Sequence, residues 1–238
     1  FGEKNFLTPQ DGVEAFGIIE EYDELIPIPF SVEQMEKAKE QKMTLFYNQG
    51  LSIHQMEECA SDEKFTSERH WVNKNTEPTL LNEGSKPGWL MMPGRATPNT
   101  EEMSYIEQMK VVLKRYKQYP SDWLPEAEAE FYNLLPELEQ RVEDQGEENQ
   151  RKLVEVLNNL KASQHLPTAN QVITLIAIYK HKNKHKFWPP FTSSEIWTRS
   201  RSADGELVSV TSFSSMSVDR GWPCKSEHRL GMTLVIGK

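Results

Sequence analysis

Cysteine is nearly missing from this 238-residue chain: there are two, Cys59 and Cys224, far apart in the sequence. Neither belongs to a CxxC pair or to a Cys/His spacing of the kind that holds zinc. One disulfide and two reduced thiols both stay open on these grounds. No apolar run approaches the roughly 20 residues of a membrane-spanning helix, so membrane insertion is not expected. Phosphate-binding glycine loops, dinucleotide fingerprints, His-Glu-x-x-His helices and Gly-x-Ser-x-Gly elbows are all missing. Positive charge is in deficit, with 27 Lys and Arg against 36 Asp and Glu, a net charge of −9. That balance repels nucleic acid and anionic membrane on average, and no nucleic-acid partner is expected. One basic run, Lys180, His181, Lys182, Lys184, His185 and Lys186, reads as a solvated helix end, where cations suit the helix dipole. The chain opens on Phe1 rather than Met, and removal of a preceding segment is the expectation.

What is present is enough for a folded protein. Six Trp, seven Tyr and ten Phe supply the aromatic surface of a core. The length suits one sizeable core, or one core with a helical appendage. Thr8-Pro9 can start a helix running to Phe16. Leu25–Phe30 holds two prolines and is expected to be extended. Ser31 with Gln34, Ser52 with Gln55 and Thr168 with Gln171 have the spacing of capping boxes, each opening a helix. Met43–Tyr47, Trp71-Val72 and Trp89–Met92 read as strands. Between residues 100 and 163 apolar residues recur at three- and four-residue steps. Tyr105 to Tyr116, Trp123 to Leu138 and Leu153 to Leu160 are three helical stripes of this kind, assigned to core. Pro120 is expected to stop the first, and Pro136 to kink or break the second. The acidic stretch Glu137–Glu155 reads as a solvated helix face.

Periodicity changes at Pro189-Pro190. Glu195–Arg201, Leu207–Phe213, Ser217–Asp219 and Leu230–Ile236 read as strands, with a turn at Ala203-Asp204-Gly205. The expected class is therefore α+β, with a small antiparallel C-terminal sheet packed on the helix before it.

Three strings within residues 164–238 carry a resemblance. His165-Leu166-Pro167-Thr168-Ala169-Asn170-Gln171-Val172 is similar to the helix start of formylglycine-generating-enzyme-type C-type lectin folds. Trp197-Thr198-Arg199-Ser200 looks like the following Trp-containing strand, and Leu230-Gly231-Met232-Thr233-Leu234-Val235 like the closing strand. The resemblance implies a C-type-lectin-like C-terminal module over 164–238. An α/β and helical region, N-terminal or inserted, would then cover 1–163. In Pro27-Ile28-Pro29-Phe30 leading into the Ser31 helix, in Leu166-Pro167-Thr168, and in the tail from Trp197-Thr198 to Gly221-Trp222, the chain also resembles uncharacterised proteins of candidate-phyla bacteria, and some C-type-lectin-fold proteins of this sort are the variable proteins of diversity-generating retroelements. That implies a C-terminal surface mutagenised at adenines. The ten serines between Ser193 and Ser226 are compatible with such a history, and they are also ordinary on sheet surfaces.

The expectation for function is a non-enzymatic binder of a protein or glycan ligand, without cofactor. The candidate contact residues are Ser209, Thr211, Phe213, Ser215, Ser217, Trp222, Lys225, His228 and Arg229. Period-two alternation puts Ser209, Thr211 and Phe213 on one strand face and Val208 and Val210 on the other. The remaining residues lie in connections, where recognition is usual. The alternative is an oxidoreductase or metal-dependent enzyme on the same fold. For oxidative chemistry, Cys224 beside Lys225 has no partner cysteine nearby. For a metal, His165, His181 and His185 are the candidates, but lysines intervene. Ser194 or Ser214 with His228 and Asp219 would make a triad only by coincidence among so many serines.

Overall fold

Helix starts organise this chain. The computed structural model describes residues 1–18, 26–59, 76–98, 100, 103–117, 124–143, 146–183, 190–191, 195–212, 217–223 and 230–237. Among them are eight α-helices: α1 (Pro9–Phe16), α2 (Val32–Glu40), α3 (Ile53–Cys59), α4 (Pro78–Leu81), α5 (Tyr105–Tyr116), α6 (Leu124–Glu143), α7 (Glu147–Asn159) and α8 (Ala169–Asn183). The three expected capping boxes form. Ser31, Ser52 and Thr168 each exchange reciprocal bonds with the glutamine three residues on. Thr8 with Asp11 and Ser104 with Glu107 do the same for α1 and α5. Each box satisfies amide donors that a helix otherwise leaves unpaired.

The strands form two sheets. The first has the order β1 (Phe6–Leu7), β2 (Met43–Asn48), β3 (Gly88–Pro93) and β8 (Ile236–Gly237). Here β1 lies parallel to β2, and the other pairs are antiparallel. The second has the order β6 (Ser217–Gly221), β5 (Leu207–Thr211), β4 (Glu195–Arg201) and β7 (Leu230–Gly231). The Asp204-Gly205 turn joins β4 to β5, with Gly205 in the left-handed region at φ 86°.

Two expectations about this sheet need correction. It is mixed rather than antiparallel, because β7 runs parallel to β4. Nor is Leu230–Ile236 one strand: it begins in the second sheet and ends in the first, where Ile236 pairs with Met91. Between the sheets its backbone finds partners elsewhere. Met232 O accepts from Thr97 N–H, Leu234 N–H donates to Tyr116 Oη, and Val235 N–H donates to His165 O. With those groups satisfied, no neighbouring strand is needed there. Gly231 permits the close approach that starts this crossing, since a Cβ there would lie 2.4 Å from Ala96 Cβ.

The core has two parts. One gathers α5, α6 and α7 with Trp197, Leu207, Leu230 and Leu234. The other gathers α8 with Phe16, Phe46, Ile53, Leu90, Ile196, Val208 and Val210. Both draw on residues from either side of position 163. α8 is buried around most of its circumference, from Val172, Leu175 and Ile176 to Thr174 and Ile178. Lys182 is also drawn inward and corrects the solvated-end expectation at its position. Its Nζ donates to Phe6 O and to Asp11, each at 2.8 Å, tying α8 to the start of α1. His181 is exposed, and residues 184–186 lie outside the described part.

α6 runs unbroken through Pro136, which is exposed, against the expected kink or break. The acidic α6–α7 face is solvated as expected, with Glu137, Glu147 and Glu148 paired one turn on to Arg141, Arg151 and Lys152. The expected strand at Trp71-Val72 and the helix stop at Pro120 lie outside the described residues.

Candidate functional site

The β6-β5-β4-β7 sheet carries the candidate residues. β5 and β6 pair in unbroken antiparallel register from Leu207 opposite Gly221 to Thr211 opposite Ser217. This ladder brings Thr211 and Ser217 side by side at the two ends of the 212–216 connection. Ser209 pairs with Asp219 in the middle of the ladder. Thr211 is half-buried, and its Oγ1 donates to Phe191 O at 3.3 Å. Trp222 follows β6 directly and is half-buried against the first core. It therefore packs inward while keeping some surface open.

Ser209 does not lie on a solvent face, contrary to expectation. It is buried, and its Oγ donates to Glu195 Oε2 at 3.3 Å. The reason is that both faces of β5 are covered. Val208 and Val210 join the core around α8, while Leu207 on the opposite face joins the other core. Alternation identified the two faces correctly but not the cover on the second one. Phe213, Ser215, Lys225, His228 and Arg229 lie outside the described residues, as does the Ser217 side chain.

At the opposite end of the β5–β6 ladder stands an ionic cluster that sequence spacing did not suggest. Arg220 on β6 meets Asp204 at 2.7 Å, Glu206 at 3.0 Å and the buried Glu77 at 3.6 Å. Glu77 also accepts from Ala203 N–H at 2.7 Å. One guanidinium thus fastens β6, the β4–β5 turn and the start of α4 together. Its carboxylates come from positions far apart in sequence, so no local motif announces it.

Beside it lies a second polar group at the start of α8. Ser200 Oγ accepts from Ala169 N–H at 2.8 Å and donates to Glu83 Oε2. Burial holds the Glu83 carboxyl above its ordinary range, against the opposing pull of Ser200, Arg199 and Arg201. Asn170 Nδ2 donates to Leu51 O and Ser85 Oγ, each at 3.0 Å, joining the 83–87 segment to the helix. The sequence string Thr198-Arg199-Ser200 therefore anchors a helix start. Ser200 spends its hydroxyl on that task.

No family model matches this chain, and neither does any curated protein or solved structure.

The remaining chemical candidates stand apart from one another. His165 precedes α8, and its ring is held at a pKa of about 4 by burial and by the Arg199 charge. His181 sits on the last turn of the same helix, and His185 and Cys224 lie outside the described residues. Cys59 ends α3, exposed and unbridged. Among the described residues, no three His, Cys, Asp or Glu side chains are placed to hold a metal ion. Nor is any described helix long and apolar enough to cross a membrane.

Proposed function

We propose that this chain is a non-enzymatic recognition protein of C-type-lectin-like fold, with a C-terminal contact surface diversified by a retroelement. The surface consists of the 212–216 connection, the connection after Trp222, and their flanking residues. Thr211, Phe213, Ser215, Ser217, Trp222, Lys225, His228 and Arg229 form it, and Ser209 supports it from within. The ligand class is a protein or a glycan.

One observation carries the reading: both connections leave a sheet whose register is fixed from the inside. Val208, Val210 and Val218 are buried, and Arg220 fastens the far end of the ladder. Sequence can change in such connections without disturbing the core beneath them. The three strings that carry the lectin-fold resemblance also meet in space. Thr168 caps α8, Trp197 lies on β4, and Leu230-Gly231 is β7, adjacent to β4.

The DNA flanking the gene tests the diversification directly. The expected finding is a near-identical repeat of the C-terminal codons, differing at adenines, beside a reverse-transcriptase gene. A tail with no such repeat, unchanged across many isolates, would contradict it.

A further inference from the structure

Aspartate is followed by glycine at two places in this chain, Asp11-Gly12 and Asp204-Gly205. The fold treats the two pairs differently. Asp11 lies in the first turn of α1, where its carboxylate accepts from Thr8 N–H at 2.6 Å, from Thr8 Oγ1 at 2.8 Å and from Lys182 Nζ at 2.8 Å. Gly12 is buried in that helix, and a Cβ there would overlap the Gln49 side chain, 1.6 Å from its Nε2. Asp204 sits instead in the exposed β4–β5 turn. Its side chain is 61% exposed, and its carboxylate meets Arg220 Nη1 at 2.7 Å. The Gly205 N–H donates to Ser202 O at 3.0 Å, and nothing lies within 4 Å of the place its Cβ would take.

An aspartyl-glycyl bond can rearrange with water as its only other reactant. The glycine nitrogen bonds to the aspartate Cγ and loses its proton. One carboxylate oxygen leaves as water, carrying that proton and one from solvent, and a five-membered imide ring remains. Water then adds to the ring at the former main-chain carbonyl, and the bond from that carbon to nitrogen breaks. The nitrogen regains a proton, and the new carboxylate releases one to solvent. No atom is gained or lost. The chain now runs through Cγ, one carbon longer, and the carboxylate sits directly on Cα. Glycine favours the first step because it has no side chain to obstruct the ring.

We propose that Asp204-Gly205 is a site of spontaneous isoaspartate formation in the folded chain, and that Arg220 restrains it. To close the ring, Cγ must meet the Gly205 nitrogen. The carboxylate then has to turn from Arg220, and the amide from Ser202 O. Arg220 does not follow, because Glu206 at 3.0 Å and the buried Glu77 at 3.6 Å hold it to the sheet. At Asp11 the barrier is of another kind. Three donors hold the carboxylate, the Gly12 amide is directed to Thr8 O in the helix, and Gln49 packs over the glycine. The site lies at the far end of the β5–β6 ladder from the proposed recognition surface and does not depend on it.

The full chain is held at neutral pH for several weeks, digested, and fragmented by electron transfer, which distinguishes isoaspartate from aspartate at each position. Folded wild type should gain isoaspartate at Asp204 and not at Asp11. In urea the two pairs should react at comparable rates, because the fold no longer separates them. Arg220→Gln should raise the rate at Asp204 about fivefold, the factor a partly exposed charge pair is worth, and leave Asp11 unchanged. A rise at both positions would report unfolding of the variant. Wild type in added sodium chloride then decides, since screening the exposed pair should speed Asp204 alone. Absence of isoaspartate at Asp204 in folded wild type would overturn the proposal, as would equal formation at Asp11. So would an equally large preference for Asp204 in urea, which its sequence neighbours alone would explain. A rate at Asp204 that neither Arg220→Gln nor salt raises would overturn the role of Arg220.

Discussion

His165 sits in an environment that departs far from its usual chemistry. Burial first, and the Arg199 charge second, favour the neutral ring and lower its pKa from 6.5 to about 4. Between those values the unfolded chain binds a proton that the folded chain refuses. Its contribution to stability is therefore present above pH 6.5 and is lost as pH falls toward 4. The full shift would correspond to about 3 kcal/mol, which solvent screening of a partly exposed ring reduces to about 1–2 kcal/mol. Glu83 works in the opposite sense. Its raised pKa means that stability is lost as pH rises from 4.5 through its folded value. His165→Gln should remove the histidine contribution alone. Urea unfolding at pH 7, 5.5 and 4 should then show a smaller acid-side loss than in wild type. Matching pH dependences in the two proteins would refute the assigned environment. None of this was legible from the sequence, where His165 read as part of a helix lead-in and as a metal-ligand candidate. Its partner Arg199 arrives from a strand 34 positions later.

At the scale of elements, local signals were read well and through-space ones poorly. Capping boxes involve residues three apart, so Ser31, Ser52 and Thr168 announced their helices. Tyr105 to Tyr116 did so through the spacing of its apolar residues. The final strand failed for an instructive reason. Leu230 to Ile236 is apolar except for Thr233, yet only its ends pair in sheets, where Tyr116, Thr97 and His165 supply hydrogen-bond partners to the stretch between. A buried apolar run looks the same in sequence whether strands or scattered groups take its hydrogen bonds. Pro136 is the other exception. It lacks the amide proton an interior helix position needs, yet α6 continues past it. Being exposed, it contributes no core packing. Pro136→Ala should therefore stabilise the protein, by about 1–3 kcal/mol on helix propensity. Chemical denaturation would read this as a higher midpoint with an unchanged slope. A lower midpoint would mean that the proline serves the helix in a way its exposure does not suggest.

For the whole molecule, the chain's end matters most. β8 closes the sheet begun by β1 and β2, while β7 completes the other sheet. The C-terminal segment thus joins both cores, and the surface proposed for recognition lies just upstream of that junction. Alternation along β5 was legible, but the cover over Ser209 was not, because it comes from Leu207's core, the α5–α7 side of the molecule. If the proposed recognition surface varies, the fixed sheet would leave that variation to its connections. The most direct test of this claim compares wild type with a Phe213→Ala, His228→Ala, Arg229→Ala triple variant. Each is applied to arrays of immobilised glycans and cell-surface proteins, with Tm recorded in parallel. The account predicts saturable binding by wild type, loss of that signal in the variant, and a Tm within about 2 °C, since substitutions in a contact surface outside the core usually change stability little. Undiminished binding by the triple variant, or its failure to fold, would contradict it.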